Sequence, residues 1–263
     1  MWKKIAFRWI KVLVLVYSII GIVFYYVQDK IFFHPTVLSQ DYQYNYQGKL
    51  KEIFIPVNDQ STLHFVQFKT PDTAKGVVLY FHGNRDNISH YLNAVPPLVA
   101  QGYEVWMLEY PGFGKATGNF TEQNLYEWAL QLYKYARPHF QPNQIVIYGR
   151  SLGTGIAAQL ASIRDCRKLI LEAPYYDFRN VARPYLFLYP LNRMISFGFP
   201  TYQYLQKVTA PVTLIHGTDD GVISYRNSAA LSKLFKPGDT LITVKGGSHN
   251  DLLNFPEARV TIK

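Results

Sequence analysis

The chain has 263 residues, 48% of them hydrophobic and 17% charged, the balance of a folded protein and not of a disordered one. Its formal net charge is +9, but Lys3, Lys4, Arg8 and Lys11 supply four of those charges, and what remains is a modest bias towards anionic surfaces, not a nucleic-acid footprint. The single Cys166 excludes an internal disulfide and a cysteine-based metal site.

Residues 1–11 are basic, and residues 12–27 (VLVLVYSIIGIVFYYV) carry no charge. With Lys11 snorkelling its amine outward, the apolar run extends back to Ile10 and reaches the length of a membrane span. Tyr25 and Tyr26 stand where an aromatic belt lies. A cleavable signal peptide is the competing reading. The run exceeds a usual h-region and no A-x-A-like site follows, which favours an uncleaved signal anchor. Its positive flank stays cytoplasmic, because Asp29 and Lys30 cancel on the other side. Residues 1–30 therefore read as a basic stub and anchor, and residues 31–263 as a domain on the non-cytoplasmic side, whether periplasmic, extracellular or lumenal.

Phe32-Phe33-His34-Pro35 reads as an interfacial segment closing the span. Residues 52–57 and 63–68 read as a hairpin around Asn58-Asp59-Gln60-Ser61. GVVLYF at 76–81 is a continuous apolar strand, as in a sheet covered on both faces, and it ends in His82-Gly83-Asn84. A helix is predicted over 89–101, stopped by Gly102. A strand follows over 103–110, then a helix from the N-cap Thr121 to about Ala136 with Glu122 in its first turn. QIVIY at 144–148 is a strand, TGIAAQLAS at 154–162 a helix, and residues 168–173 a strand. Regularity breaks over 174–208, which is rich in Tyr, Phe, Leu and Pro. It resumes with a strand at 212–216, a helix at 225–235, a strand at 240–244 and a short final helix. Alternating strands and helices imply a mostly parallel, doubly wound sheet. The segment 174–208 then reads as a lid-like insertion over the carboxyl ends of the strands, where such sheets bind ligands.

Between the strand at 144–148 and the helix at 154–162 lies Gly149-Arg150-Ser151-Leu152-Gly153. A serine hydroxyl is a poor nucleophile unless it stands clear of the backbone within reach of a base. A sharp strand-to-helix turn with glycines two residues either side presents it so, and turns the Leu152 N–H towards a developing oxyanion. In such a sheet an acid and then a histidine follow the serine. Asp220 follows the strand at 212–216, with Asp219 beside it and Glu172 and Asp177 as earlier alternatives. His249 stands in the loop Gly246-Gly247-Ser248-His249-Asn250 after the strand at 240–244. The Asn84 backbone N–H is the second candidate oxyanion donor. His82 and His216 read as structural braces. The remaining histidines show no metal-ligand spacing, so no metal is expected, and acyl transfer through a serine, histidine and acid needs no cofactor.

The chain resembles the small membrane-anchored proteins of the α/β-hydrolase superfamily. The stretches that carry the resemblance are FFHP, LYFHGN with NISHYL, EYPGFGKATG, VIYGRSLGTG, APVTLIHGTDDGVIS and GGSHNDL, from about Phe32 to Leu252. It implies an α/β-hydrolase fold with Ser151 as nucleophile, Asp220 as acid and His249 as base, and some members of the group remove fatty acyl groups from proteins. Ser224 departs from a proline frequent in the group, and EAPYYDF is bulkier than its counterpart. The expected function is hydrolysis of acyl esters or thioesters of small molecules, lipids or acylated proteins. A peptidase or amidase on the same fold is one alternative, and a non-catalytic membrane-tethered interaction module is another. Tyr175, Tyr185, Phe187 and Phe199, with Tyr189 and Phe197, suggest an apolar acyl pocket built by the insertion.

Overall fold

The computed structural model describes residues 2–183, 186–259 and 262. It begins with one long helix, α1 (Trp2–Phe32), which is apolar and almost wholly exposed along its length. By length and composition α1 is able to cross a membrane. It ends at Phe32, two residues beyond the boundary expected after residue 30.

Eight strands form the central sheet: β1 (Leu50–Asn58), β2 (Ser61–Phe68), β3 (Gly76–Phe81), β4 (Tyr103–Leu108), β5 (Ile145–Arg150), β6 (Lys168–Glu172), β7 (Val212–Gly217) and β8 (Thr240–Val244). Their spatial order is β8-β7-β6-β5-β3-β4-β2-β1. The β1–β2 and β2–β4 pairs are antiparallel and all other neighbours are parallel. The strands β3 and β5 are buried over their whole length, because helices cover both faces of the sheet and leave no side for polar alternation.

The second helix, α2 (Val95–Val99), follows a 3-10 segment, Ile88–Ala94, where the sequence predicts one helix over 89–101. Pro96 and Pro97 explain the break. Proline lacks an N–H and is tolerated only in the first turn of an α-helix, so the α-helix starts afresh at Val95. Helix α3 (Glu122–Ala136) starts at the expected cap, with Thr121 Oγ1 accepting from Asn124 N at 3.1 Å. Its stripe Leu125, Trp128, Ala129, Leu132, Tyr133 and Ala136 recurs at helical spacing and packs with α4 (Gly153–Ile163) on one sheet face. Residues of the 3-10 segment and α2 cover the other face, against Val78, Tyr80 and Val146.

The insertion holds α5 (Phe178–Ala182), α6 (Leu191–Met194) and α7 (Thr201–Leu205). Then α8 (Arg226–Leu231) leads towards β8, and 3-10 turns replace the expected final helix. The stretch FFHP also packs into the folded domain. Phe33 is buried against Phe120, Phe178 and Phe197, and His34–Pro35 pairs in parallel with Arg85–Asp86. The end of α1 is thereby stitched to the loop after β3.

A buried histidine sets an acid-side limit to stability. His64 Nε2 lies 3.0 Å from Glu52 Oε2, but Lys115 Nζ holds the same oxygen at 2.8 Å and neutralises the carboxylate. Burial first, and the Lys115 ammonium second, push the His64 imidazole down to about 3. The unfolded chain, with an imidazole near the ordinary value of about 6.5, binds the extra proton in the window between them. Stability is therefore expected to fall as pH drops through that window, by at most ~1.4 kcal/mol per pH unit from this group. Melting temperature measured from about pH 7 to about pH 4 checks this. His64→Phe is expected to flatten the dependence, and an unchanged slope in the variant contradicts the assignment.

Candidate active site

Ser151 sits between β5 and α4 with φ +50°, in the left-handed region that non-glycine residues seldom enter. Three contacts hold it there. Its N–H donates to Glu172 O on β6 at 2.9 Å, and its carbonyl accepts from Thr154 N at 3.0 Å and Thr154 Oγ1 at 2.6 Å. The flanking glycines are required by close backbone approach. A Cβ on Gly153 would collide with the Phe81 carbonyl, and one on Gly149 would stand 2.7 Å from Ala157 Cβ. The helix therefore starts directly against the end of β3, and the serine is lifted towards the surface.

The loop after β8 brings His249 to this serine. Gly246, with φ +75°, turns the chain, and Ser248 N donates to Asp251 Oδ1 at 2.7 Å. His249 Nε2 lies 3.0 Å from Ser151 Oγ, and His249 Nδ1 lies 2.7 Å from Asp220 Oδ2. Because the carboxylate accepts from Nδ1–H, Nε2 is left as the acceptor for the serine hydroxyl. Asp220 Oδ1 accepts from Val222 N and Ile223 N, both at 2.8 Å. Burial opposes ionisation of Asp220, but hydrogen bonds from His216 and His249, with the Ile223 N–H, prevail and hold its carboxyl well below the usual carboxylate range.

The alternative acids are occupied elsewhere. Asp219 is exposed and accepts from Thr218 Oγ1, and Asp177 caps α5 through Arg179 N. Glu172 is buried beside Arg150, Nε to Oε1 at 3.2 Å, and accepts from Tyr148 Oη at 2.6 Å. His216 is a brace, as expected: its Nε2–H donates to Ile223 O at 2.7 Å and its Nδ1 lies 2.7 Å from Ser228 Oγ. His82 likewise braces its loop, with Nδ1 2.8 Å from Gly83 O and the ring against Tyr110.

Ser151 and His249 open on a cavity of about 390 Å³ that Asn84 also lines. Among the described residues, no hydrogen bond is formed by the backbone N–H of Asn84 or of Leu152. The Asn84 side chain donates to Phe32 O at 2.6 Å and its carbonyl accepts from His34 N at 3.0 Å, so the loop is held by the end of α1. The rest of the lining is mostly polar: Arg85, His90, Asn93, Arg150 and Asn250, with Gly83, Tyr91 and the aliphatic Val222.

This corrects the expected aromatic pocket. No described residue of 174–208 lines the cavity at Ser151. Tyr175 is fully buried and serves the turn: its hydroxyl donates to Leu152 O at 2.9 Å and accepts from Gly155 N at 3.2 Å. Phe199 is fully buried beside Phe178 and Phe197, and Phe187 is exposed on a different cavity. Tyr185 lies outside the described residues. Sequence reading also missed Glu109 and Glu122. Glu109 is buried, accepting from Ile88 N at 2.9 Å, and Glu122 accepts from Gly198 N and Phe199 N, pinning the insertion to α3. Neither carried a motif; Glu122 presents itself only as a first-turn helix acid. Among the described residues, no group of three or more His, Cys, Asp or Glu side chains converges as a metal site.

The sheet order and the strand–turn–helix placement of Ser151 are those of an α/β-hydrolase. The chain matches the family Hydrolase_4, described as serine aminopeptidase, S33, over residues 72–204, and it belongs to that family. Among curated proteins it is 30% identical over 179 residues to alpha/beta hydrolase domain-containing protein 17C of Xenopus tropicalis, covering 66% of this chain and 56% of the relative. It is also 30% identical over 183 residues to protein 17B of Homo sapiens, covering 68% of this chain and 62% of that one. The chain thus spans little more than half the length of these relatives. The fold is shared with a solved Pyrococcus furiosus esterase, Pf2001, at a TM-score of 0.68 and 17% identity, over 86% of this chain and 93% of that one. Est1E from Butyrivibrio proteoclasticus gives a TM-score of 0.61 at 18% identity, over 75% and 90%.

The dependence on Gly153 is open to a direct test. Gly153→Ala is expected to destabilise the fold by at least ~1–3 kcal/mol, through overpacking against a rigid strand end. Gly221→Ala, where an added Cβ meets nothing within 4 Å, is expected to stay within ~0.5 kcal/mol of the parent. Denaturant unfolding of both variants checks the contrast.

Proposed function

We propose that the protein is a membrane-anchored serine hydrolase that cleaves acyl esters or thioesters through an acyl-enzyme, with Ser151, His249 and Asp220 as its triad. The observation that carries this reading is the hydrogen-bonded chain from Ser151 Oγ through His249 to Asp220. In the first step Ser151 Oγ attacks the acyl carbonyl carbon while its proton passes to His249 Nε2. The carbonyl oxygen becomes an oxyanion that accepts from the Asn84 and Leu152 N–H groups. Asp220, ionised, steadies the imidazolium. The tetrahedral intermediate collapses, the carbon–oxygen or carbon–sulfur bond breaks, and His249 returns the proton to the leaving group. A water then attacks the acyl-enzyme, giving its proton to His249, and the carboxylic acid leaves as Ser151 recovers its hydrogen.

The lining of the site argues for esters over N-terminal peptides. An aminopeptidase must neutralise a substrate ammonium, and among the described residues lining this cavity there is no acid. Arg85 and Arg150 make the mouth cationic, although Arg150 is largely committed to Glu172. A substrate with polar or anionic groups around the scissile bond suits this mouth better than a long bare acyl chain.

In this reading, residues 1–30 are a basic stub and signal anchor, and residues 31–263 are the hydrolase domain, with 174–208 as an insertion. The positive flank of α1 argues for a cytoplasmic N-terminus and a catalytic domain on the other side of the membrane.

A panel of p-nitrophenyl esters of increasing chain length, run beside aminoacyl p-nitroanilides, tests the reaction class. The esters are expected to turn over, with Asp220→Asn lowering kcat by about three to four orders of magnitude. Preference for the anilides sinks the esterase reading, and full activity in Asp220→Asn sinks the role given to the acid.

A further inference from the structure

Another cavity lies away from Ser151, within the insertion. It has a volume of about 450 Å³, and its lining includes Arg179, Arg183 and Arg193 together with Phe187, Tyr189 and Leu191. Among the described residues, no acid lines it. Arg179 is shared with Asp177, Nε to Oδ1 at 3.6 Å, whereas Arg183 and Arg193 are exposed and have no acidic partner among the described residues.

The segment 186–194 runs along α1. Tyr189 stacks on Tyr17 with centroids 4.4 Å apart, and Tyr17 Oη donates to Leu188 O at 2.9 Å. Gly21 makes room for the Tyr189 ring, to which an added Cβ would stand at 2.8 Å. At the lower end, Gln28 Nε2 donates to Met194 O at 3.0 Å and Gln28 Oε1 accepts from Ser196 N at 2.9 Å. From Tyr17 to Gln28 the helix rises about 16 Å, on the order of one leaflet of hydrocarbon. A segment bound along that length shares the depth of the helix.

Two further features suit lipid surroundings. Irregular backbone survives at such depth only when its polar groups are paired internally. Here the N–H groups of Tyr189, Leu191, Arg193 and Ile195 donate to Leu186 O, Tyr189 O, Pro190 O and Leu191 O, and the Leu188 and Met194 carbonyls accept from α1. The tip is apolar and bare, with Phe187 73% and Leu188 66% exposed. The arginines lie towards the Gln28 and Phe32 end of α1, at the level of headgroups: Arg193 adjoins Met194, and α5, which carries Arg179, packs on Phe32 through Phe178.

We propose that residues 186–194 insert into the membrane beside α1, and that the Arg179, Arg183 and Arg193 cavity binds the phosphate of an anionic phospholipid. Guanidinium groups pair with phosphate oxygens through directed hydrogen bonds, and the apolar side chains of the same lining suit the first acyl carbons. The proposal rests on the reading of α1 as a membrane anchor. It gives the basic insertion a lipid-docking role separate from the catalytic cavity.

Three measurements on the full chain test it. In neutral detergent, dioctanoyl phosphatidylglycerol is expected to raise the melting temperature by several degrees, while dioctanoyl phosphatidylcholine and inorganic phosphate leave it unchanged. The Arg183→Gln/Arg193→Gln variant is expected to melt as the parent does without lipid and to lose the shift. An equal rise with phosphatidylcholine or with inorganic phosphate, or an undiminished rise in the variant, overturns the headgroup site. Insertion is read with an environment-sensitive dye on Phe187→Cys in a Cys166→Ser background, in vesicles of phosphatidylcholine and phosphatidylglycerol. Quenching by acyl-chain nitroxides is expected, and quenching by aqueous iodide alone overturns insertion of the tip. Alkaline carbonate extraction of the same vesicles reads α1 separately: release of the parent chain defeats the anchor, while the detergent measurement still decides the cavity.

Discussion

The structure turns on the contact between the start of α4 and the end of β3. Gly153 lies so close to the Phe81 carbonyl that no side chain fits there. That closeness forces the chain at Ser151 into a left-handed turn, with φ +50°, and the strain is held by hydrogen bonds to β6 and to Thr154. Everything at the site is placed relative to this turn. The Leu152 N–H stands free at the first turn of α4, Tyr175 ties the Leu152 carbonyl to Gly155, and the loops after β7 and β8 deliver Asp220 and His249 to one side of the serine.

Much of this was legible in the residue order. GVVLYF, QIVIY and the periodic stripe from Leu125 to Ala136 each carry a local signal, because strands covered on both faces are uniformly apolar and a one-sided helix repeats every three to four residues. The serine, acid and histidine were readable because each follows a strand in a fixed order, so topology alone restricts where they stand. Residue order favours Asp220 and leaves Asp219 beside it as the neighbouring option. The packing of His216 and the turn at Val222 and Ile223 hold the Asp220 carboxylate against the imidazole.

What sequence did not reveal depends on distant partners. Glu172 and Arg150 form a buried pair across neighbouring strands, and Glu122 reaches from α3 to the backbone of the insertion. Such pairs have no spacing rule along the chain. The aromatic residues of 174–208 misled for a related reason: composition reports apolar area but not which way it faces. Phe178, Phe197 and Phe199 turn inward to Phe33 and Phe120, while Phe187 is exposed, and the cavity at the serine is left to residues such as Arg85, Asn93 and Asn250. The end of α1 is similarly double-facing. Phe32 and Phe33 close the helix, and the Asn84 side chain donates to Phe32 O, so α1 and the loop that carries Asn84 are one connected unit.

The central claim is that Ser151 is an activated nucleophile. Intact-protein mass analysis after exposure to a fluorophosphonate, followed by peptide mapping, tests it most directly. One phosphonyl group on Ser151, absent from a folded Ser151→Ala variant, is the expected result. A folded parent chain that remains unlabelled, or that carries the group on another residue, would contradict it.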